Sequence, residues 1–351
     1  MACRLLRNSP SVASRTGTPP AVSVLLPARN AEATLTPALR SVQRQTYADF
    51  ECVLIDDGSS DATAAIAREF AASDPRFRLL QRPAAGLVAS LNAGAAECRG
   101  RFIARMDADD LMHRERLAAQ VRALEEDTAL ALVGTHVRLF PRTQLGTGMR
   151  EYEIWLNQQQ NTADLRADLF IESPLAHPTW MMRREVLARF PYRELPWTED
   201  YDLLLRLVEA GEKIGVVPRR LLCWREHPGR LTHAAGNLRI EAFMEARAHF
   251  LARKFLLDHE TYVLWGYGDT GRALRRALLP LGKTPSEIIE VHPGRIGQTI
   301  HGAKVIAPEE LTAPAGRRLL ASVARAGPRA LVREALATAG WREGADFRCT
   351  A

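Results

Sequence analysis

The sequence predicts an α/β protein built on a mostly parallel central sheet with helices on both faces, and three observations carry that prediction. From Ala21 to Leu139, short apolar runs rich in β-branched residues alternate with segments of helical periodicity. Two acidic clusters, Asp56-Asp57 and Asp107 to Asp110, fall directly after two of those runs, where open parallel sheets bind their ligands. A second strand, glycine, helix succession starts at Thr261 and implies a smaller α/β unit near the C-terminus.

In order, Ala21 to Leu26 reads as a buried strand ended by Pro27, followed by a helix over Leu35 to Gln45. A strand at Glu51 to Ile55, a helix at Ala62 to Ser73, a strand at Phe77 to Gln81, a helix at Leu87 to Ala96 and a strand at Phe102 to Met106 continue the alternation. A helix from Arg114 to Glu126 and a strand from Leu130 to Leu139 follow, then a loop between Arg142 and Met149. Tyr152 to Leu169 reads as one polar helix, and Pro174 to Arg183 shows no clear period. An amphipathic helix at Tyr201 to Ala210 is closed by Gly211, and a short strand leads to Leu222 to Pro228. Arg239 to Leu257 reads as a long connecting helix. The expected organisation is a tail at 1–20, a main domain at 21–235, a helical connector at 236–257 and an α/β domain at 258–351.

At 351 residues the chain can bury two cores, and 46% hydrophobic with 25% charged residues is ordinary for a globular protein. A net charge of +6 suits an anionic partner such as a nucleotide, a phosphate or an acidic membrane surface, although much of the excess is Arg scattered on helical faces. No nucleic-acid partner is expected. The five cysteines are scattered without a C-x-x-C pair, as expected of reduced thiols in a cytoplasmic protein. No apolar run reaches the roughly 18 to 20 residues that span a bilayer, so any membrane association is expected to be peripheral, at the inner face. The N-terminal segment lacks the apolar core of a secretory signal and reads as a disordered tail.

The chemistry-bearing residues sit at strand and helix ends. Asp107, Asp109 and Asp110 repel one another unless a cation screens them, so this cluster is either a site for a hard divalent metal or an acidic turn before the next helix. Asp56 and Asp57 can accept from a nucleobase imide and a ribose hydroxyl, with Gly58 allowing a sharp turn, or can cap the helix at Ala62. Glu199 and Asp200 can serve as a base for an acceptor hydroxyl, or simply suit the first turn of a helix. Arg105 reads either as a phosphate neighbour or as a strand-edge surface residue. His227, in a Pro-containing loop, is a ligand or a surface residue; His177, before Pro178, could simply pack. Asn92, with Gly94, reaches a nucleotide or holds its helix to the sheet. Gly266, Gly268 and Gly271 form G-x-G-x-x-G between a strand and a helix, with Glu290 ending the next strand, which is the context for a second nucleotide site.

Residues 21 to about 235 resemble family 2 glycosyltransferases of the GT-A fold. The resemblance rests on VSVLLPARN, SVQRQTYADFE, LIDDGSSDAT, GLVASLNAGAAECRGRFIARMDADD, LAHPTWMMRR, TEDYDLLLRL and CWREHPGRLT in that order. It implies a nucleoside diphosphate sugar donor, UDP-linked by preference, held by Pro27, Arg29, Asn30, Asp56, Asp57, Gly58, Asn92, Asp107 and Asp109. Either Asp56 or Asp57 would recognise the base. Arg29 departs from the aromatic usual before Asn in the family. The resemblance also implies Mn²⁺ or Mg²⁺ on Asp107, Asp109 and His227, sugar or acceptor contacts from Asp110 and His177, and Asp200 as base with Glu199 as helper. Transfer would invert the anomeric carbon and reach a saccharide or lipid-linked acceptor in bacterial surface polysaccharide or glycolipid assembly. The C-terminal region resembles Rossmann-like nucleotide-binding modules fused to sugar-modifying proteins. Two other readings stand beside this: a non-catalytic nucleotide-sugar binding protein, and an NAD(P)-dependent oxidoreductase acting through the C-terminal domain.

Overall fold

The computed structural model describes residues 18–227 and 236–351, with side chains resuming at 241. The expected tail, through residue 17, and the Pro228 to Thr232 end of the CWREHPGRLT block lie outside the described residues.

The first half alternates as the periodicity predicts: β1 (Val22–Ala28), α1 (Glu32–Gln43), β2 (Phe50–Asp57), α2 (Thr63–Ser73), β3 (Phe77–Arg82), α3 (Leu87–Glu97) and β4 (Phe102–Arg105). Then come β5 (Leu111–Met112), α4 (Arg116–Glu126), β6 (Leu130–Phe140), α5 (Thr147–Leu156), α6 (Thr162–Asp168), β7 (Met181–Arg183), α7 (Arg184–Arg189), α8 (Glu199–Glu209) and β8 (Lys213–Arg225). Among the described residues these strands form one eight-stranded sheet in the order β3-β2-β1-β4-β7-β6-β8-β5. The β3 to β4 half is parallel, whereas β7 runs antiparallel to both β4 and β6, and β5 antiparallel to β8. Every residue of β1 and β2 is buried, because helices cover both faces. Pro27 is tolerated in this central strand because pairing with β4 ends at Leu25, so its missing N–H forfeits no bond on that side.

Gly94 explains how closely α3 approaches the sheet: a Cβ there would stand 2.4 Å from both Ile55 Cδ1 and Leu25 Cδ1. The N-termini of α1 and α2 cap each other. Ala31 donates to Thr63 Oγ1 (2.7 Å), Glu32 to Asp61 Oδ2 (3.1 Å), and Ala62 returns a bond to Glu32 Oε2 (3.0 Å).

Two expectations are corrected. The segment expected to be helical over Tyr152 to Leu169 is divided into α5 and α6, because Asn161 takes an extended conformation and accepts from the amides of Ala163 and Asp164 at 2.8 and 3.1 Å. The aperiodic Pro174 to Arg183 segment ends in β7, a strand of 3 residues, too short to display a period.

Downstream lie α9 (Gly236–Phe250), a π-helical turn at Leu251–Phe255, β9 (Thr261–Trp265), α10 (Asp269–Leu278), β10 (Thr284–Ile289), β11 (Thr299–Ile300), β12 (Ala303–Ile306), β13 (Leu319–Ala321), α11 (Ala326–Thr338) and β14 (Phe347–Cys349). They make a second sheet, β11-β12-β10-β9-β13-β14, parallel except at the β11 edge. The segment expected to be a connector is packed into both cores: Phe243, Ala246 and Phe250 join the first, while Met244, Ala248, Leu251 and Leu256 join the second. Arg247 adds donations to the carbonyls of Ile171 and Thr350.

An ion pair locks the outer edge of the main sheet. Arg76 donates to both oxygens of Asp74 (3.0 and 2.7 Å) and, at 3.2 Å, to Gln43 O, tying the ends of α1 and α2 to β3. The Arg76 guanidinium holds the Asp74 carboxyl down at about 2. A depressed native pKa stabilises fully above the unfolded value and is lost as pH falls through the folded one. Asp74→Asn should therefore cost about 2 kcal/mol at pH 7, with the gap to wild type closing between about pH 4 and pH 2 in urea unfolding series.

Candidate active site

The carboxyl ends of β1, β2 and β4 converge on one rim, and each brings part of the site. At the end of β2, Asp57 accepts from the amides of Ala85 and Gly86 (2.9 and 3.0 Å), and Asp56 from Ser59 (3.1 Å). Gly58 sits between them at φ +67°, where a Cβ would lie 2.5 Å from Ala84 N; only glycine serves this turn. Asn30, itself left-handed at φ 49°, accepts from Ser60 N at 2.9 Å and donates its own amide to Ser59 Oγ at 3.0 Å, stitching the β1 loop to the β2 loop. Arg29 stays exposed, its guanidinium 3.9 Å from Asp57. The two acids thus shape the loops that wall the cleft, beyond any capping role.

At the end of β4, one carboxylate oxygen from each of Asp107, Asp109 and Asp110 lies within 4.8 Å of the others. Basic side chains surround the cluster. Arg105 donates to Asp107 Oδ1 at 2.6 Å; it is 3% exposed, so it is neither a strand-edge nor a surface residue. His227 Nε2 lies 3.0 Å from Asp109 Oδ2. Arg116, fully buried beneath the cluster, donates to the carbonyls of Arg105 (2.8 Å) and Trp180 (3.3 Å), and burial pulls it down to about 9 against the opposing pull of Asp110. Arg225 closes the far side by donating its amide to Asp110 Oδ1 and its Nε to Asp109 O, both at 2.7 Å. Burial, and next the Asp107 charge, raise the Asp109 carboxyl above its ordinary value. Oxygen donors at this spacing, with an imidazole alongside, fit a hard divalent cation.

Across the cleft, α8 opens with Glu199 and Asp200. Burial, followed by the charge of Asp200, pushes Glu199 up to about 7. Asp200 Oδ1 accepts its own helix's Tyr201 amide at 2.7 Å. His177 stands behind them, buried, with Nε2 2.8 Å from the Tyr192 hydroxyl and Nδ1 3.7 Å from Glu199; burial, then Arg105, depress its pKa far below the usual value, so it is neutral. Arg105, in turn, feels both Asp107 and Glu199, which links the acid cluster to α8.

The structure thus gathers Asp107, Asp109, Asp110 and His227, and sets Glu199, Asp200 and His177 beside them through Arg105. Two further residues have partners within the chain. Asn92, expected on the donor, clamps the backbone of Tyr192 from both polar ends (2.9 and 3.0 Å). Glu290, expected at a second nucleotide, is paired with Arg295 at 2.9 Å. Of the three glycines there, Gly266 and Gly271 answer to packing, since their Cβ atoms would meet Ser322 O at 2.8 Å and Gly266 O at 2.0 Å; Gly268 has open space. Arg116 was not expected at the site. Its signal was available: with Gln120 it shares the inward face defined by Leu117, Val121 and Leu124.

Fold and site together define a transferase that handles a nucleotide sugar. The family model for glycosyl transferase family 2 matches residues 23–190. The chain is 34% identical over 198 residues to a putative glycosyltransferase, EpsE, of Bacillus subtilis, covering 55% of this chain and 68% of that protein. It is 35% identical over 116 residues to WfgD of Escherichia coli, described as a UDP-Glc:α-D-GlcNAc-diphosphoundecaprenol β-1,3-glucosyltransferase, covering 33% of this chain and 45% of that one. The fold matches Staphylococcus aureus TarS 1–349, solved with UDP-GlcNAc, at a TM-score of 0.55 and 17% identity over 74% of this chain and 72% of that one. This protein belongs to glycosyl transferase family 2.

Asn92→Ala should lose about 2 kcal/mol of stability, from two bonds to buried backbone, while leaving the affinity for UDP unchanged in calorimetry. Asp107→Asn should weaken Mn²⁺ binding at least about tenfold in the folded protein, read by manganese electron paramagnetic resonance.

Proposed function

We propose that the protein moves a sugar from a UDP-sugar to a hydroxyl of a saccharide carried on a lipid diphosphate, with inversion, in bacterial surface polysaccharide or glycolipid synthesis. The observation that carries this reading is the metal-competent acid cluster at the β4 end, Asp107, Asp109 and Asp110 with His227 alongside, in the region that matches the family. The UDP-sugar and the lipid diphosphate are suggested by what WfgD is described as using, and UDP also by the TarS complex. Asp107, Asp109 and His227 would hold Mn²⁺ or Mg²⁺, which when bound offsets the negative charge of the departing diphosphate.

The chain's own groups do the rest. Asp56, Asp57 and the stitched Asn30 loop form the base and ribose wall. Asp200 accepts the proton of the acceptor hydroxyl as its oxygen bonds to the anomeric carbon, and the bond from that carbon to the diphosphate oxygen breaks, its electron pair leaving with UDP. Glu199, poised near neutral pH between its two forms, contacts the acceptor or the donor sugar. Buried His177 stands 3.7 Å from it, with its other ring nitrogen held by the Tyr192 hydroxyl. At the second sheet, strand order β12-β10-β9-β13-β14 and open space at Gly268 support a Rossmann-like module, with any nucleotide there bound rather than reduced.

Asp200→Asn should lower kcat about 10² to 10⁴-fold with UDP affinity retained, measured by release of UDP from a panel of UDP-sugars with acceptor. Wild-type turnover in that variant would remove Asp200 from the role of base.

A further inference from the structure

A cavity of ≈ 450 Å³ outside the acid cluster is lined by Arg138, Arg142, Arg150, Arg220, Glu153 and Ile154, from β6, β8, α5 and the loop preceding α5. Four guanidiniums face it against a single carboxylate. That carboxylate is already spent, since Glu153 receives Arg142 on one oxygen and the Leu139 amide, at 3.2 Å, on the other. Arg150 is fixed without being neutralised: it donates to the carbonyls of Leu145 (3.1 Å) and Arg142 (3.0 Å). Among the described residues no carboxylate pairs with Arg138, Arg150 or Arg220. Guanidiniums gathered in a concavity without counter-charge repel, and an anion that enters relieves the repulsion while accepting paired N–H donors.

The cavity's place in the sheet says which anion. Arg138 is in register with Cys223, and Cys223 with Leu111, the residue directly after Asp110. Two strand spacings of about 4.8 Å put the Arg138 backbone roughly 10 Å from the acid cluster's end. Ile154, 58% exposed, adds an apolar contact at the same cavity. Positive charge beside an exposed aliphatic side chain, one short span from the reacting centre, matches a diphosphate borne on an apolar chain.

We propose that this cavity is the subsite for the diphosphate of the acceptor, holding its lipid-proximal end while the sugar hydroxyl reaches Asp200. The proposal rests on the transferase reading above. Its test uses the full chain in EDTA, which keeps metal from the acid cluster, with farnesyl diphosphate as the probe in isothermal calorimetry. Wild type should bind it, and the double variant R138Q/R220Q, whose side chains are exposed and carry no internal ion pair, should bind about tenfold or more weakly with an unchanged circular dichroism spectrum. Equal affinity in the two proteins, or no binding by wild type, overturns the subsite. Binding of phosphatidylglycerol vesicles lost in the variant, with soluble farnesyl diphosphate unbound, also overturns it, in favour of a headgroup contact. Mn²⁺-dependent UDP binding by wild type is measured separately, so a failure of the donor reading is distinguishable from a failure of the subsite.

Discussion

Two arginines buried behind a row of carboxylates hold the working end of this protein in shape. Arg105 pairs with Asp107, and Arg116 binds the carbonyls of Arg105 and Trp180, so α4, β4 and the strand entering β7 meet at one charged point. Burying a guanidinium is expensive unless its donors are met and an opposite charge is near. Here the carboxylates that would bind a cation also balance the buried arginines from the cleft side. Acid cluster and cationic backing therefore depend on each other: loss of either leaves uncompensated charge under the sheet.

The loops at the ends of β1 and β2 are made rigid by polar cross-links. Asp57 spends its oxygens on the Ala85-Gly86 loop, Asn30 stitches two strand ends together, and α1 and α2 cap one another. Loops at strand ends carry function well when the scaffold fixes them, because the binding geometry is then formed before the ligand arrives. The start of α8 depends more on buried aromatic and apolar packing. His177, Trp180 and Tyr192 lie against one another beneath Glu199.

The second sheet is joined to the α8 side of the main domain. The α9 helix contributes to both cores, and Arg333 reaches across to Asp168 at 2.8 Å. That attachment lies on the side where Tyr201 of α8 stacks on Phe243 of α9.

The alternation of strands and helices, the acidic pairs at strand ends and the helix opening at Glu199 were legible in the sequence, because each depends on local period or on residues adjacent in the chain. So was the family resemblance, which the matched region bears out. Tertiary structure alone decided the rest. The strand β7 is too short to show a period, and the break between α5 and α6 depends on the cap that Asn161 supplies. Asn92 had chemistry suited to a nucleotide, yet the fold places it against Tyr192, 100 residues away. Arg105 could be read as a phosphate neighbour or a surface residue, and only the closed sheet shows it buried beside Asp107. Arg138 and Arg220 are far apart in the chain, and only the pairing of β6 with β8 makes them neighbours. Local sequence determines which groups a segment carries; long-range packing determines which charges are buried together, and that sets what each group does.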